Sequence, residues 1–180
     1  NAELIAELTA ALARAGADPE VRAVVLAAEG KSFSAGADLN WMRAMAAFGE
    51  AENQADALKL ADLMRTLAYL PKPTIARIQG SAFGGGVGLI ACCDVALANS
   101  EAKFGLTESK LGLVPAVISP YVVAAIGARH ARRWFQSGAL FDAPHALAMN
   151  LIHEIVPADE LDAAVERELD AMLKAGPTAM

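Results

Sequence analysis

The chain has 180 residues, 55% hydrophobic and 20% charged, which is enough apolar material for one core, so a single domain is expected. Fifteen basic against 21 acidic residues leave a formal charge of −6, removing the counterion-release drive toward nucleic acid and the attraction to anionic lipid. The two cysteines, Cys92 and Cys93, are sequence neighbours and make no disulfide framework, which fits a reducing cytoplasmic compartment.

Residues 2–14 carry Leu4, Ile5, Leu8, Ala11 and Leu12 at helical spacing, and Gly16 with Pro19 ends the helix they predict. Residues 22–28 (RAVVLAA) form a continuously apolar, β-branched run, predicting a strand buried on both faces. A glycine-containing loop, residues 31–38 (KSFSAGAD), follows. Across residues 53–70 apolar side chains recur at three and four, so an amphipathic helix should end before Pro71 and Pro73.

The pattern then recurs. Residues 74–78 read as a strand, 80–86 as a glycine loop, 87–93 as a short buried helix and 95–98 as another strand. Two strand, glycine-loop and helix units imply α/β architecture with the loops at strand ends, where such folds hold ligands. From residue 143 onward the chain reads as helical and more charged, with an amphipathic helix over 161–173. The uncharged stretch 111–128 is long enough to suggest a membrane span, but Gly112, Pro115, Ser119, Pro120 and Gly127 argue against one.

Gly84-Gly85-Gly86-Val87-Gly88 falls between a predicted strand and a predicted helix. Its main-chain N–H groups can face an anion or a developing oxyanion, or the glycines can simply let backbones pack closely. Gly86, Gly88 and Ala91 also fit the G-x-G-x-x-A spacing of a dinucleotide site, but the next strand ends in Asn99-Ser100 rather than an acid. His130, His145 and His153 show no metal-ligand spacing, and no metal site is expected. The basic run 129–133 and His153-Glu154 read as solvated or interface surface. Ser34 lacks a nucleophile elbow. Glu108 stands as a lone carboxylate after Phe104-Gly105-Leu106-Thr107. Partial burial would raise its pKa toward a range useful for proton transfer. A helix-start acid held by the dipole is the alternative.

Taken together, residues 33–39 (FSAGADL), 78–86 (IQGSAFGGG) with Cys93-Asp94, 102–108 (AKFGLTE) and 111–115 (LGLVP) resemble the enoyl-CoA hydratase/isomerase (crotonase) family over essentially the whole chain. The resemblance implies an α/β fold, a crotonase-type spiral of ββα units, as one domain over residues 1–180. Residues 1–142 would form the spiral core and 143–180 a C-terminal helical region. It implies an acyl-CoA thioester substrate and no separate cofactor, coenzyme A being part of the substrate. It also implies a homotrimer or dimer of trimers, with no nucleic-acid or membrane partner. The oxyanion hole carries over onto the backbone N–H groups of Ala37 and Gly85. The substrate path carries over onto Ser34, Ala35, Asp38, Leu39 and Asn40, with Gly84 and Gly88 alongside.

In the two-glutamate hydratases of this family, one carboxylate lies two positions after the glycine triplet and the other in F-G-x-x-E. Here Gly88 occupies the first position and Glu108 the second. The stretch 113–123 (LVPAVISPYVV) resembles the bacterial methylglutaconyl-CoA hydratase-like branch, whose members also place V-G after the triplet. The expected reaction is therefore addition of water to a 2-enoyl-CoA, with a branched or glutaconyl-type acyl group using the room left by Gly88. Double-bond isomerisation by the single glutamate is the alternative enzyme reading, and a silent acyl-CoA-binding homologue the non-enzyme one.

Overall fold

Two ladders of short strands organise the chain. The structure is a computed structural model that describes residues 1–38, 41 and 47–176. In chain order it places α1 at Ala2–Ala17, β1 at Val24–Ala27, β2 at Ser32–Ser34, α2 at Glu50–Ala68, β3 at Thr74–Ile78, β4 at Ser81–Phe83, α3 at Gly85–Cys92 and β5 at Val95–Asn99. Then come β6 at Lys103–Gly105, a 3-10 turn at Glu108–Leu111, α4 at Ser119–Ser137, β7 at Leu140–Asp142 and α5 at Ala143–Ala148. The chain continues with β8 at Glu154–Val156, a second 3-10 turn at Ala158–Glu160 and α6 at Leu161–Lys174.

The first sheet has the order β1-β3-β5-β8 and the second β2-β4-β6-β7. Every pairing is parallel except β6 with β7. Each strand of the first sheet through β5 is followed a few residues later by one of the second. The two sheets therefore grow in step along the spiral.

The continuous apolar runs of the first sheet follow from its two covered faces. Val24, Leu26, Ala76, Ile78, Ala96 and Ala98 point into the larger core, which includes Met64, Leu67, Val87, Ile90 and Phe104. Their alternates Val25, Ile75, Leu97 and Val156 pack instead against Leu161, Ala164 and Val165 of α6. Side chains alternate at period two, so both faces need apolar residues. Asp94 ties the strand starts together. Its Oδ2 accepts from the Thr74 N–H and hydroxyl, each at 2.7 Å, and its own N–H donates to Thr74 Oγ1 at 2.9 Å.

The long helices and β3 lie where their periodicity predicts, within a few residues at the ends. Two expectations are corrected. The segments read as glycine loops, 31–38 and 80–86, contain β2 and β4, and β6 and β7 complete a sheet the sequence pattern did not announce. The region after residue 142 is not only helical, because β8 adds to the edge of β5. Within the described residues no helix is long and apolar enough to cross a membrane.

Candidate active site

Three adjacent strands of the second sheet carry the site. β2 and β4 run parallel, with Ser34 opposite Ala82. β4 and β6 run parallel, with Phe83 opposite Gly105. Their C-terminal ends therefore lie side by side. Ala37 follows the end of β2, Gly85 that of β4 and Glu108 that of β6. Parallel pairing thus gathers three segments that are remote in sequence.

The turn after β4 is held by the Gly84 N–H donating to the Gly105 carbonyl at 2.9 Å. Gly84 then caps α3 at φ 53° and ψ −119°, a conformation that side-chain-bearing residues rarely adopt. Its carbonyl accepts from the Val87 and Gly88 N–H groups at 2.9 and 3.3 Å. The Gly85 and Gly86 N–H groups find no acceptor among the described residues. They are the orphan donors of a helix N-terminus, where partial positive charge collects. A Cβ added at Gly85 would meet nothing within 4 Å.

Glu108 begins the 3-10 turn that follows β6. Its carbonyl accepts from the Leu113 N–H at 3.0 Å, and Gly112 closes the turn at φ 70°. Its carboxylate leans over the α3 N-terminus, with Oε1 3.1 Å from where a Cβ on Gly84 would stand. Oε2 is buried and has no hydrogen-bond partner. Burial pushes the Glu108 pKa above its ordinary value, opposed in part by a hydrogen bond from its own backbone N–H. Of the two sequence readings of this residue, the structure favours the desolvated acid. A four-residue 3-10 turn offers little dipole to hold a carboxylate charged.

The segment after β2 lies against this centre. A Cβ on Gly36, at φ 96°, would sit 3.7 Å from Phe83 Cβ, and one on Gly86 would come within 2.8 Å of Ser34 Oγ. Ser34 therefore seats α3 against β2, and its hydroxyl also accepts weakly from the Gly36 N–H at 3.4 Å. Ala35 and Ala37 are exposed. The Asp38 carboxylate accepts the Trp41 N–H at 2.7 Å and so caps a turn. Leu39 and Asn40 lie outside the described residues.

Gly88 requires a correction. The room expected beside it is filled, because a Cβ there would clash with the Ile118 side chain, with Ile118 Cβ at 2.8 Å and Met64 Cε at 3.2 Å. Sequence reading missed Ile118. The dinucleotide spacing also fails in space, since Gly86, Gly88 and Ala91 all lie inside α3 and not in the turn that precedes it.

Elsewhere, burial pushes the Cys92 and Cys93 thiols up to about 12, so neither is a ready nucleophile. Although exposed, His153 extends the β5–β8 ladder, with its N–H donating to the Ala96 carbonyl at 2.8 Å and its Nδ1 accepting the Ala96 N–H at 2.9 Å. Among the described residues no group of three or more His, Cys, Asp or Glu is placed to hold a metal ion. A surface groove lined by Ala13, Arg65, Tyr69 and Pro71 lies between α1 and α2 and contains no predicted site residue.

Two interleaved sheets, with a partly buried carboxylate standing over a helix start whose first amides are unpaired, define a spiral α/β protein. The whole chain, residues 1–180, matches the family model described as enoyl-CoA hydratase/isomerase, and the chain belongs to that family of enzymes. A Thermus thermophilus protein named as an enoyl-CoA hydratase is 37% identical over 178 residues, covering 99% of this chain and 70% of the relative. A Legionella pneumophila crystal structure described as an enoyl-CoA hydratase/isomerase (crotonase) is 49% identical at TM-score 0.97, covering 99% of this chain and 69% of that one. An enoyl-CoA hydratase structure from Shewanella pealeana is 49% identical at TM-score 0.95, covering 98% of this chain and 66% of that one. The chain thus spans about two thirds of the length of these relatives.

Proposed function

We propose that the protein adds water across the double bond of a 2-enoyl-CoA thioester. The observation that carries this reading is a partnerless main-chain donor, the Gly85 N–H, next in sequence to Gly84, over which the Glu108 carboxylate stands with a buried, partnerless Oε2. The Gly85 and Ala37 amides hold the thioester oxygen. As a water oxygen bonds to the β-carbon, Glu108 takes one of its protons and the π electrons move onto that thioester oxygen. The enolate then collapses as Glu108 returns the proton to the α-carbon. The amides stabilise the enolate more than the neutral carbonyl, which lowers the barrier. Coenzyme A enters as part of the substrate, and the homotrimer or dimer of trimers is tested by sedimentation of the purified chain.

The packing of Ile118 against Gly88 favours one second reading, since it leaves Glu108 without a carboxylate partner on α3. Here Glu108 moves a proton from the α-carbon to the γ-carbon of a 3-enoyl-CoA, and the double bond shifts with no water consumed. Incubation with crotonyl-CoA, 3-methylglutaconyl-CoA and a 3-enoyl-CoA, followed by mass analysis of the products, separates the two. A product heavier by one water supports hydration, and an isomer of unchanged mass supports the second reading. If Glu108→Gln retained full turnover, both would fail.

A further inference from the structure

Gly84 and Gly88 lie one helical turn apart, linked by the Gly88 N–H to Gly84 carbonyl hydrogen bond. Glu108 covers the first of them and Ile118 the second. Ile118 ends the loop that leaves the Glu108 turn and immediately precedes α4. It is 3% exposed, and Met64 behind it is fully buried. The contacts beside Gly88 are so close that even one added carbon displaces them.

A reacting β-carbon must lie within hydrogen-bond reach of the Glu108 carboxylate, by way of one water at most. The thioester oxygen is held at the start of α3. Substituents on the β-carbon therefore reach toward the next turn of α3, where Ile118 and Met64 close the space.

We infer that Ile118, filling the position of a side chain on residue 88, sets the acyl size limit of this site and restricts it to short enoyl thioesters unbranched at the β-carbon. This rests on the enoyl-CoA reading above and gives it a substrate class. Ile118 acts as a specificity-determining wall, and Gly88 is glycine because that wall needs the volume.

The test compares crotonyl-CoA with 3-methylcrotonyl-CoA in the wild-type chain, Ile118→Val, Ile118→Ala, and Ile118→Ala combined with Gly88→Ala. The expected wild-type preference is for crotonyl-CoA. In Ile118→Ala the branched-to-straight ratio of kcat/KM should rise by about tenfold or more, the usual effect of one carbon in an apolar pocket. Ile118→Val should fall between, and Gly88→Ala in the double variant should take the gain back by refilling the volume. Dissociation constants for butyryl-CoA and isovaleryl-CoA read the same volume without chemistry. If no variant turns over either enoyl ester while the binding ratio shifts as expected, the hydration reading fails and the size limit stands. A binding ratio in Ile118→Val and Ile118→Ala within twofold of wild type overturns the size limit, as does equal wild-type affinity for the two saturated esters.

Discussion

Glu108 joins two properties that pull against each other. Its burial raises the pKa, which suits it to exchange protons near neutral pH but penalises its charged form. In the unfolded chain the proton leaves at the ordinary carboxylate pKa, whereas the folded chain keeps it to higher pH. Stability is therefore lost as pH rises from the unfolded pKa through the folded one. Glu108→Gln cannot titrate. Its melting temperature should match that of wild type at low pH and exceed it increasingly toward neutrality, as thermal melts across pH would show. The same variant should lose activity by about 10²–10⁴-fold, the usual contribution of a positioned base. In the wild type kcat/KM should rise with pH through an apparent pKa above the ordinary carboxylate value. A rate profile flat across that range would remove Glu108 from proton transfer.

Residues of this kind were legible in part. The isolation of Glu108 among apolar and small neighbours is visible in the sequence, and so is the glycine run beside it. The role of Gly88 was not. Whether a glycine leaves a void or yields to a neighbour depends on which side chain fills that volume, and here it is Ile118, thirty positions away on another element.

At the scale of elements, the site depends on how closely α3 sits on β2 and β4. Gly86 allows that approach, since a Cβ there would press on Ser34. Gly86→Ala should lower the unfolding free energy by about 1–3 kcal/mol, the usual range for overpacking, and Ser34→Gly in the same chain should restore part of it. Urea titrations of the two single variants and the double variant measure that coupling. Gly80 permits a tighter crossing, where a Cβ would stand 2.9 Å from the Lys31 carbonyl carbon. Backbone cannot yield as a side chain does, so Gly80→Ala should cost more than Gly86→Ala in the same assay.

The elements divide sharply in legibility. A helix of 19 residues such as α2 displays several turns of its period, and β3 has five residues, with Ile75, Ala76 and Ile78 apolar. The strands of the second sheet have three residues each and contain Ser, Gly and Asp. Three residues are too few to show an alternation. Those strands exist because longer neighbours hold them in register, which is tertiary information.

For the molecule as a whole, residues after 142 pack on the same sheet as residues before it. Val156, Leu161, Ala164 and Val165 cover Ile75 and Leu97 on the outer face of the first sheet. A chain ending at Asp142 should therefore expose that face and lose β8, one of β5's two partner strands. It is expected to be insoluble or to bind a hydrophobic dye strongly, as dye fluorescence and sedimentation of the truncated chain would show. Full solubility with native-like cooperative melting would contradict this arrangement.

The lateness of β8 in the chain has a further consequence. While the polypeptide emerges from the ribosome, β5 is available well before the strand that seals it, and its unpaired main-chain groups form a template for pairing with other nascent chains. The parallel ladders close only over long loops, which slows their assembly. Synthesis in crowded polysomes should therefore favour aggregation at this edge, and a chaperone that shields it during translation should raise the yield of folded protein.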